Sequence, residues 1–271
     1  MYPFALITDS TIDETAAYFS QNDIGCAPLA FTIDGRTIEE DCGQTVSFHQ
    51  FYDLLREGKL PVTSQAKLET FLTLFRTALE AGQDVLYIGF SSGLSGTFHA
   101  GCMARDELAP LFPARKIICI DSLSATGGEY LLVDKAREMR DSGCTIEVTA
   151  AAVEQMRLHV IHLITVNDLG HLHRGGRLSK TSAVVGGLLG IKPVIWVDNA
   201  GKLGGYVPIE PTELDATKDD ETPIEFLRIE HCHIFFDVSV GLQTFHPFKD
   251  RCRRQINFCR QFFGCQARIV L

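Results

Sequence analysis

Two hydrophobic periods alternate along the first half of the chain. Residues 4–7 form an apolar run with strand character, and residues 11–20 follow with helical spacing, with Asp9 or Ser10 placed to cap it. Residues 25–33 are an apolar run closed by the turn signal Asp34-Gly35. Residues 47–56 predict a helix capped by Ser47. Residues 68–81 predict a stronger one, with Leu68, Phe71, Leu72, Phe75 and Leu79 on a single stripe. Residues 85–88 and 117–120 are further strands, and a helix is expected over 128–142. Strand and helix taking turns in this way predicts parallel βαβ units.

The pattern continues with a helix over 145–157 and a strand over 160–166. Residues 167–177 read as a loop rich in His, Arg and Gly. Residues 182–190 are apolar with three glycines, 193–197 read as a strand, and 198–201 as a turn. The chain shows no internal repeat.

Composition narrows the class. At 271 residues the chain is long enough for one large domain or two ordinary ones. With 45% hydrophobic and 22% charged residues it has the balance of a globular protein. Its formal net charge of -9 argues against nucleic-acid binding, because phosphate affinity comes from Lys and Arg. The start has no basic region ahead of its short apolar run, and no apolar stretch approaches the roughly 20 residues a membrane helix needs. The expectation is a cytoplasmic protein with reduced thiols, and nine cysteines do not make a complete disulfide framework.

Three strands end in small polar residues: Thr8-Asp9-Ser10, the run from Gly89 through Ser91-Ser92-Gly93-Leu94-Ser95-Gly96-Thr97, and Asp121-Ser122. In open parallel sheets ligands sit outside the carboxyl ends of the strands. The Ser/Gly run precedes a helix expected to start near Ser95 to Thr97, where free N–H groups and hydroxyls suit a carboxylate or phosphate. The plain alternative is a Ser-capped helix after a turn. Thr63-Ser64-Gln65 is a second hydroxyl cluster, explicable as an N-cap of the helix at Leu68. His171-Leu172-His173-Arg174-Gly175-Gly176-Arg177 is a third. It lacks a metal-ligand set beside its two histidines and reads as a loop whose Arg177 pairs with an anion, or as a surface turn. The nucleotide fingerprints G-x-G-x-x-G and G-x-x-x-x-G-K-[ST] do not occur, and Gly93-Leu94-Ser95-Gly96 is one residue short of a nucleophile elbow.

Taken in order, Ile7-Thr8-Asp9-Ser10-Thr11, Val62-Thr63-Ser64-Gln65, the Ser91-to-Thr97 run, Ile120-Asp121-Ser122, Leu172-His173-Arg174-Gly175-Gly176-Arg177-Leu178-Ser179, Gly190-Ile191-Lys192-Pro193 and Gly201-Lys202-Leu203 resemble the DegV family, the FakB-type bacterial fatty-acid-binding proteins, over roughly residues 1–203. The resemblance implies a two-domain α/β fold: a parallel-sheet N-terminal domain of residues 1–60 and 82–150, and a smaller α/β domain of residues 61–81 and 151–271. It implies a carrier rather than an enzyme, with a long-chain fatty acid held between the domains and no cofactor or metal. Thr63, Ser64, Ser95 and Gly96 would hold the carboxylate, with Ser92 a secondary candidate and Arg177 near the head group. The implied partner is a fatty-acid kinase that phosphorylates the bound acyl chain for phospholipid synthesis, and transient membrane contact is part of the same expectation.

The energetics suit a carrier. Burying about fifteen methylenes yields roughly 12 kcal/mol at about 0.8 kcal/mol each, so a modest polar clamp suffices. That clamp must pair the buried carboxylate. Apolar residues of 183–191 and of the Leu68 stripe are candidate tunnel walls, or ordinary core. The alternative is an enzyme acting on a phosphorylated small molecule at the Ser/Gly loop. It needs a base beside a hydroxyl, and His99 is the histidine near that loop.

Past Lys202 the pattern departs from the family. Residues 210–237 hold nine acidic and two basic residues, whereas 249–271 hold six basic and one acidic, and four of the nine cysteines fall in the last 40 positions. His246 is followed by Pro247-Phe248-Lys249 rather than by the family's Gly-Pro-Gly-like turn. Helical periodicity fades as well. The expectation is a tail outside the family's ordinary reading, as a shifted reading frame would produce.

Overall fold

Strand β1 (Phe4–Asp9) carries a nearly continuous buried apolar run, as does β6 (Asp84–Gly89). Runs of that kind are buried on both faces and belong in parallel sheets. β1 and β6 pair with each other in parallel, β2 (Ile24–Ala27) lies outside β1, and β7 (Ile117–Asp121) lies outside β6. The sheet order is β2-β1-β6-β7, all parallel. The chain runs outward from β1 to β2 and then returns past β1 to β6, so the strand order reverses between β1 and β6, where the carboxyl ends open a crevice.

The computed structural model describes residues 2–165, 169–178, 192–209, 227–229 and 232–237, and the chain divides into two compact units, Met1–Leu158 and His159–Leu271.

In the first unit the remaining elements are α1 (Ala16–Gln21), β3 (Ala30–Ile33), β4 (Arg36–Glu39), α2 (Phe48–Arg56), β5 (Val62–Ser64), α3 (Leu68–Glu80), α4 (Thr97–Leu108), α5 (Thr126–Asp141) and α6 (Ile146–Met156). β3, β4 and β5 form a small antiparallel sheet in the order β4-β3-β5. The Leu68 stripe packs α3 on the main sheet: Phe71 and Phe75 are fully buried, and their rings lie 4.9 and 6.0 Å from that of Tyr87. Ala100, Ala104 and Leu108 of α4 join the same core. Residues 61–81, expected in the second domain, therefore pack within the first unit, because Phe71, Phe75 and Leu79 bury their apolar faces there.

In the first unit, local expectations differ from the structure in three places. The helix expected over 11–20 is broken. A 3-10 turn at Ser10–Ile12 ends at Asp13, which is left-handed at φ 56°, and α1 starts again behind the Thr15 cap. The run over 25–33 divides into β2 and β3 around Pro28, which has no N–H for a ladder. Thr63-Ser64 is a strand rather than a helix cap: α3 is preceded by Lys67, without a side-chain cap bond. The expected capping of α2 by Ser47 is present, with Ser47 and Gln50 exchanging bonds in a capping box.

The second unit contains β8 (Ile161–Thr165), α7 (Leu169–Arg174), β9 (Lys192–Val197), β10 (Leu203–Ile209), β11 (Leu227–Ile229) and β12 (Cys232–Asp237). The strands form one sheet of order β10-β9-β8-β12-β11, and α7 follows β8 in sequence. β12 runs parallel to β8, and the other neighbours are antiparallel. Leu169, Leu178 and Ile195 form its described core. The tail thus supplies β10, β11 and β12. The apolar run 183–191, His246, and Cys252, Cys259 and Cys265 lie outside the described residues.

Candidate functional site

The three polar strand ends meet. β1, β6 and β7 are neighbours, and their ends are joined by hydrogen bonds. Asp9 Oδ2 accepts the Phe90 N–H at 3.0 Å, Asp121 Oδ1 accepts the Ser92 N–H at 3.1 Å, and the Ser91 N–H donates to Ser124 O at 3.0 Å. Asp121 Oδ1 also accepts the Leu123 N–H at 3.1 Å. The Ser/Gly loop is therefore gripped from both adjacent strands before it enters α4.

The loop folds back on itself for local reasons. Ser91 O accepts the N–H groups of Leu94 and Ser95 at 3.0 and 3.1 Å, and Ser91 Oγ accepts that of Gly93 at 3.2 Å. Ser95 Oγ lies 2.9 Å from Thr97 Oγ1 and accepts the Thr97 N–H at 3.2 Å. The ladder of α4 begins with the Ala100 N–H on Gly96 O, so the first-turn N–H groups lie outside it. A hydroxyl pair at the positive end of a 12-residue helix suits one negative oxygen.

The Thr-Ser-Gln ribbon comes to this loop through its last residues. The Ala66 N–H donates to Thr97 Oγ1 at 3.3 Å. A Cβ at position 96 would overlap the side-chain amide of Gln65, so Gly96 is what admits it. Thr63 pairs with Phe31 and Ser64 with Ala30 across β3. Successive strand residues face opposite ways, so Thr63 and Ser64 occupy opposite faces of the ribbon. Thr63 shares the face of Phe31, whose ring packs edge-on against Phe51 of α2 at 5.0 Å. Both hydroxyl residues are exposed, whereas Ser92, Ser95 and Gly96 are half-buried. Phe48, Tyr52, Leu60 and Val62 leave apolar side chains exposed on α2 and around β5.

Arg177 belongs to the second unit. The segment expected to be a loop is helix α7, closed by the bonds Gly175 N–H to His171 O and Gly176 N–H to His173 O, with Gly176 at φ 75°. Gly at the end of a short apolar-stripe helix is the physical reason for the difference. Arg177 is exposed, and its guanidinium donates to Gly175 O. His171 and His173, two apart on a helix, point away from each other. Among the described residues no group of three His, Cys, Asp or Glu side chains could hold a metal.

Under the loop lies a buried polar layer in which Ser124 and Glu129 join residues of the three polar strand ends. Thr8, Asp9, Ser91, Ser122, Ser124 and Glu129 are fully buried. Tyr87 donates its hydroxyl to Asp9 Oδ2 at 3.0 Å, and burial pushes its own pKa well above the usual range. His99, the candidate base, is exposed on α4.

A parallel sheet with hydroxyl-bearing loops at the reversal of its strand order defines an open α/β fold. The DegV family model, described as "Uncharacterised protein, DegV family", matches residues 3–206. A DegV domain-containing protein of Clostridium perfringens, CPE0026, is 36% identical over 206 residues, covering 76% of this chain and 71% of the relative. The chain belongs to the DegV family. Among solved structures it is similar to a stearic acid-binding protein from Eubacterium ventriosum, at 25% identity and TM-score 0.69, covering 77% of this chain and 72% of that one. It is also similar to a fatty-acid-binding DegV protein from Thermus thermophilus, at 29% identity and TM-score 0.65, covering 76% and 71%. The match ends close to where the sequence pattern changes. No helix among the described residues is long and apolar enough to cross a membrane.

Proposed function

We propose that this chain is a carrier for a long-chain fatty acid, whose carboxylate is held in the first unit at the start of α4. The observation that carries this is the joining of the Thr-Ser-Gln ribbon to the Ser/Gly loop by the Ala66 and Gln65 contacts with Thr97 and Gly96. The solved relatives that bear the same fold hold fatty acids. Ser95 Oγ, Thr63 Oγ1 and the N–H groups of Phe98 and His99 in the first turn of α4 are the donors, with Ser92 the secondary one; Ser64 lies on the opposite face of the ribbon from Thr63 and is left out of the clamp. Gly96 leaves the space that the Gln65 side-chain amide fills, which seats the ribbon against the start of α4. The apolar side chains of Phe48, Tyr52, Leu60 and Val62 offer surface to the acyl chain. Arg177 enters the proposal through its family motif, and Arg177→Ala tests it separately.

The finer reading is that the carrier presents the carboxylate to a fatty-acid kinase. Neutral hydroxyls and N–H groups hold the anion without neutralising it, so a carboxylate oxygen keeps the charge it needs to attack a phosphoryl group.

Native mass spectrometry of the full chain tests the carrier: the expected result is one bound long-chain fatty acid, lost on denaturation. Ser95→Ala is expected to weaken oleate binding about tenfold, the effect of deleting one hydrogen bond to a charged group. A chain that takes up no fatty acid overturns the proposal. Adding a fatty-acid kinase and ATP is expected to yield acyl phosphate only when carrier is present.

A further inference from the structure

Beneath the Ser/Gly loop, outside the proposed carboxylate clamp, lies a pair of carboxyl groups. Asp9, at the end of β1, and Glu129, in α5, are both fully buried. Thr11 stands between them: its Oγ1 is 2.6 Å from Asp9 Oδ1 and 2.7 Å from Glu129 Oε2. A threonine hydroxyl carries one proton and cannot donate to both. One of these short contacts must run the other way, with a protonated carboxyl donating to Thr11 Oγ1.

The surroundings decide which carboxyl carries that proton. Asp9 Oδ2 accepts the Tyr87 hydroxyl and the Phe90 N–H, each at 3.0 Å, and Oδ1 accepts the Thr11 N–H at 3.2 Å besides the Thr11 hydroxyl. Four donors, two of them backbone N–H groups, favour the charged form. Glu129 meets side-chain hydroxyls: Thr8 donates to Oε1 at 3.2 Å, and Thr11 faces Oε2. A neutral acid suits that place, accepting through one oxygen and donating through the other.

We propose that Asp9 and Glu129 share a single proton, resident on Glu129 Oε2 and donated to Thr11 Oγ1, and that this chain makes Asp9 the positioning residue of the Ser/Gly loop through the Phe90 N–H. The positioning role rests on that loop being the ligand site. Burial and the Asp9 charge push the Glu129 carboxyl well above its ordinary range, and burial also pushes Asp9 up against the pull of its donors. The titratable groups facing the pair are Asp13 beyond the 3-10 turn, Tyr87 from β6 and Cys26 from β2. The buried residues of α6, which packs on α5, are Ile146, Thr149, Ala150 and Val153, none of which titrates. The folded protein thus keeps a proton that the unfolded chain releases. Stability is fully present below the ordinary Glu pKa of 4.5 and declines as pH rises toward the raised folded value.

Infrared difference spectra of the full chain against Glu129→Gln at neutral pH test this. The expected result is a protonated-carboxyl C=O band in the wild type that the variant lacks. The introduced amide keeps a donor toward Thr11 and an acceptor toward Thr8. The variant is therefore expected to fold, to lose the fall in stability with rising pH, and to bind oleate within about twofold of wild type. Asp9→Asn sets an amide NH2 against existing donors. It is expected to speed amide exchange at Phe90 and to weaken oleate binding by about tenfold or more. If Asp9→Asn does not fold, Thr11→Val, which removes the bridging hydroxyl and keeps its shape, is expected to give the same faster exchange. An ionised Glu129, or a Glu129→Gln variant as impaired as Asp9→Asn, overturns the inference. A wild type that binds no oleate sinks the ligand reading while the infrared and exchange results still decide the proton.

Discussion

The side-chain amide of Gln65 occupies the space that a side chain on residue 96 would need. This contact joins the ribbon after β5 to the entrance of α4. Gly96 has an ordinary backbone conformation, φ -77°, so its missing Cβ matters for space and not for strain. Gly96→Ala would drive the Gln65 amide away. Gln65 is exposed and can swing into solvent, so thermal stability is expected to change by less than about 1 kcal/mol. Fatty-acid affinity is expected to fall more than stability does, since the ribbon loses its register with the loop. Paired urea melts and oleate titrations check this, and equal losses in both would refute it.

Gly101 gives the opposite outcome from a similar overlap. A Cβ there would meet the ring of Tyr87, which is fully buried between Phe71, Phe75 and Phe98 and hydrogen-bonded to Asp9. The ring has nowhere to go. Gly101→Ala is expected to cost about 1–3 kcal/mol, the usual penalty of overpacking a core. It is also expected to disturb the Asp9 network, visible as faster amide exchange at Phe90. Denaturant midpoints for the two glycine variants, measured side by side, separate the mobile neighbour from the fixed one.

What the sequence disclosed was local. The Ser47 cap, the Leu68 stripe and the apolar runs of β1, β6 and β7 follow from spacings within a few residues. The Ser/Gly loop was visible because it lies where a strand run gives way to a helix. The Asp9–Glu129 pair was not visible: its members are separated by most of the first unit, and Glu129 looks like any acidic residue in the first turn of a helix. The break at Asp13 was also hidden, since a left-handed Asp leaves no mark in hydrophobic periodicity. For Thr63 and Ser64 the sequence supplied two hydroxyls, and only the pairing of β5 with β3 shows that they face opposite ways.

Arg140 is a fully buried cation near the end of α5, and its role is to close α1. Its guanidinium donates to the carbonyls of Asn22 and Asp23, reaches Asp141 at 3.1 Å and lies 3.9 Å over the Tyr2 ring. Those carbonyls follow the end of α1, where Asp23 is left-handed at φ 49°. Arg140→Ala would leave both carbonyls short of a donor and open a void, at an expected cost of about 3 kcal/mol. Arg140→Lys keeps the charge but cannot span both carbonyls with a planar fork, and is expected to recover only part of the loss. Urea unfolding with an unchanged m-value and a lowered midpoint is the expected signature.

The thiols give a prediction independent of the ligand. The Cys102 thiol in α4 is paired with the Cys119 thiol of β7, which brings the Cys102 pKa down to about 7, and Arg105 one turn further on acts in the same direction. The same pairing, and then burial, push Cys119 the other way. The thiolate is the reactive form of cysteine, so Cys102 is expected to be alkylated faster at neutral pH than Cys26 or Cys119. Both of those have raised pKa values. The Cys102 labelling rate is expected to rise with pH through a midpoint of about 7. Cys119→Ala removes the partner thiol, so that midpoint is expected to move up toward the ordinary thiol value. Iodoacetamide labelling followed by peptide mass spectrometry reads each site separately. An unshifted Cys102 midpoint in Cys119→Ala would show that the neighbouring thiol does not control its ionisation.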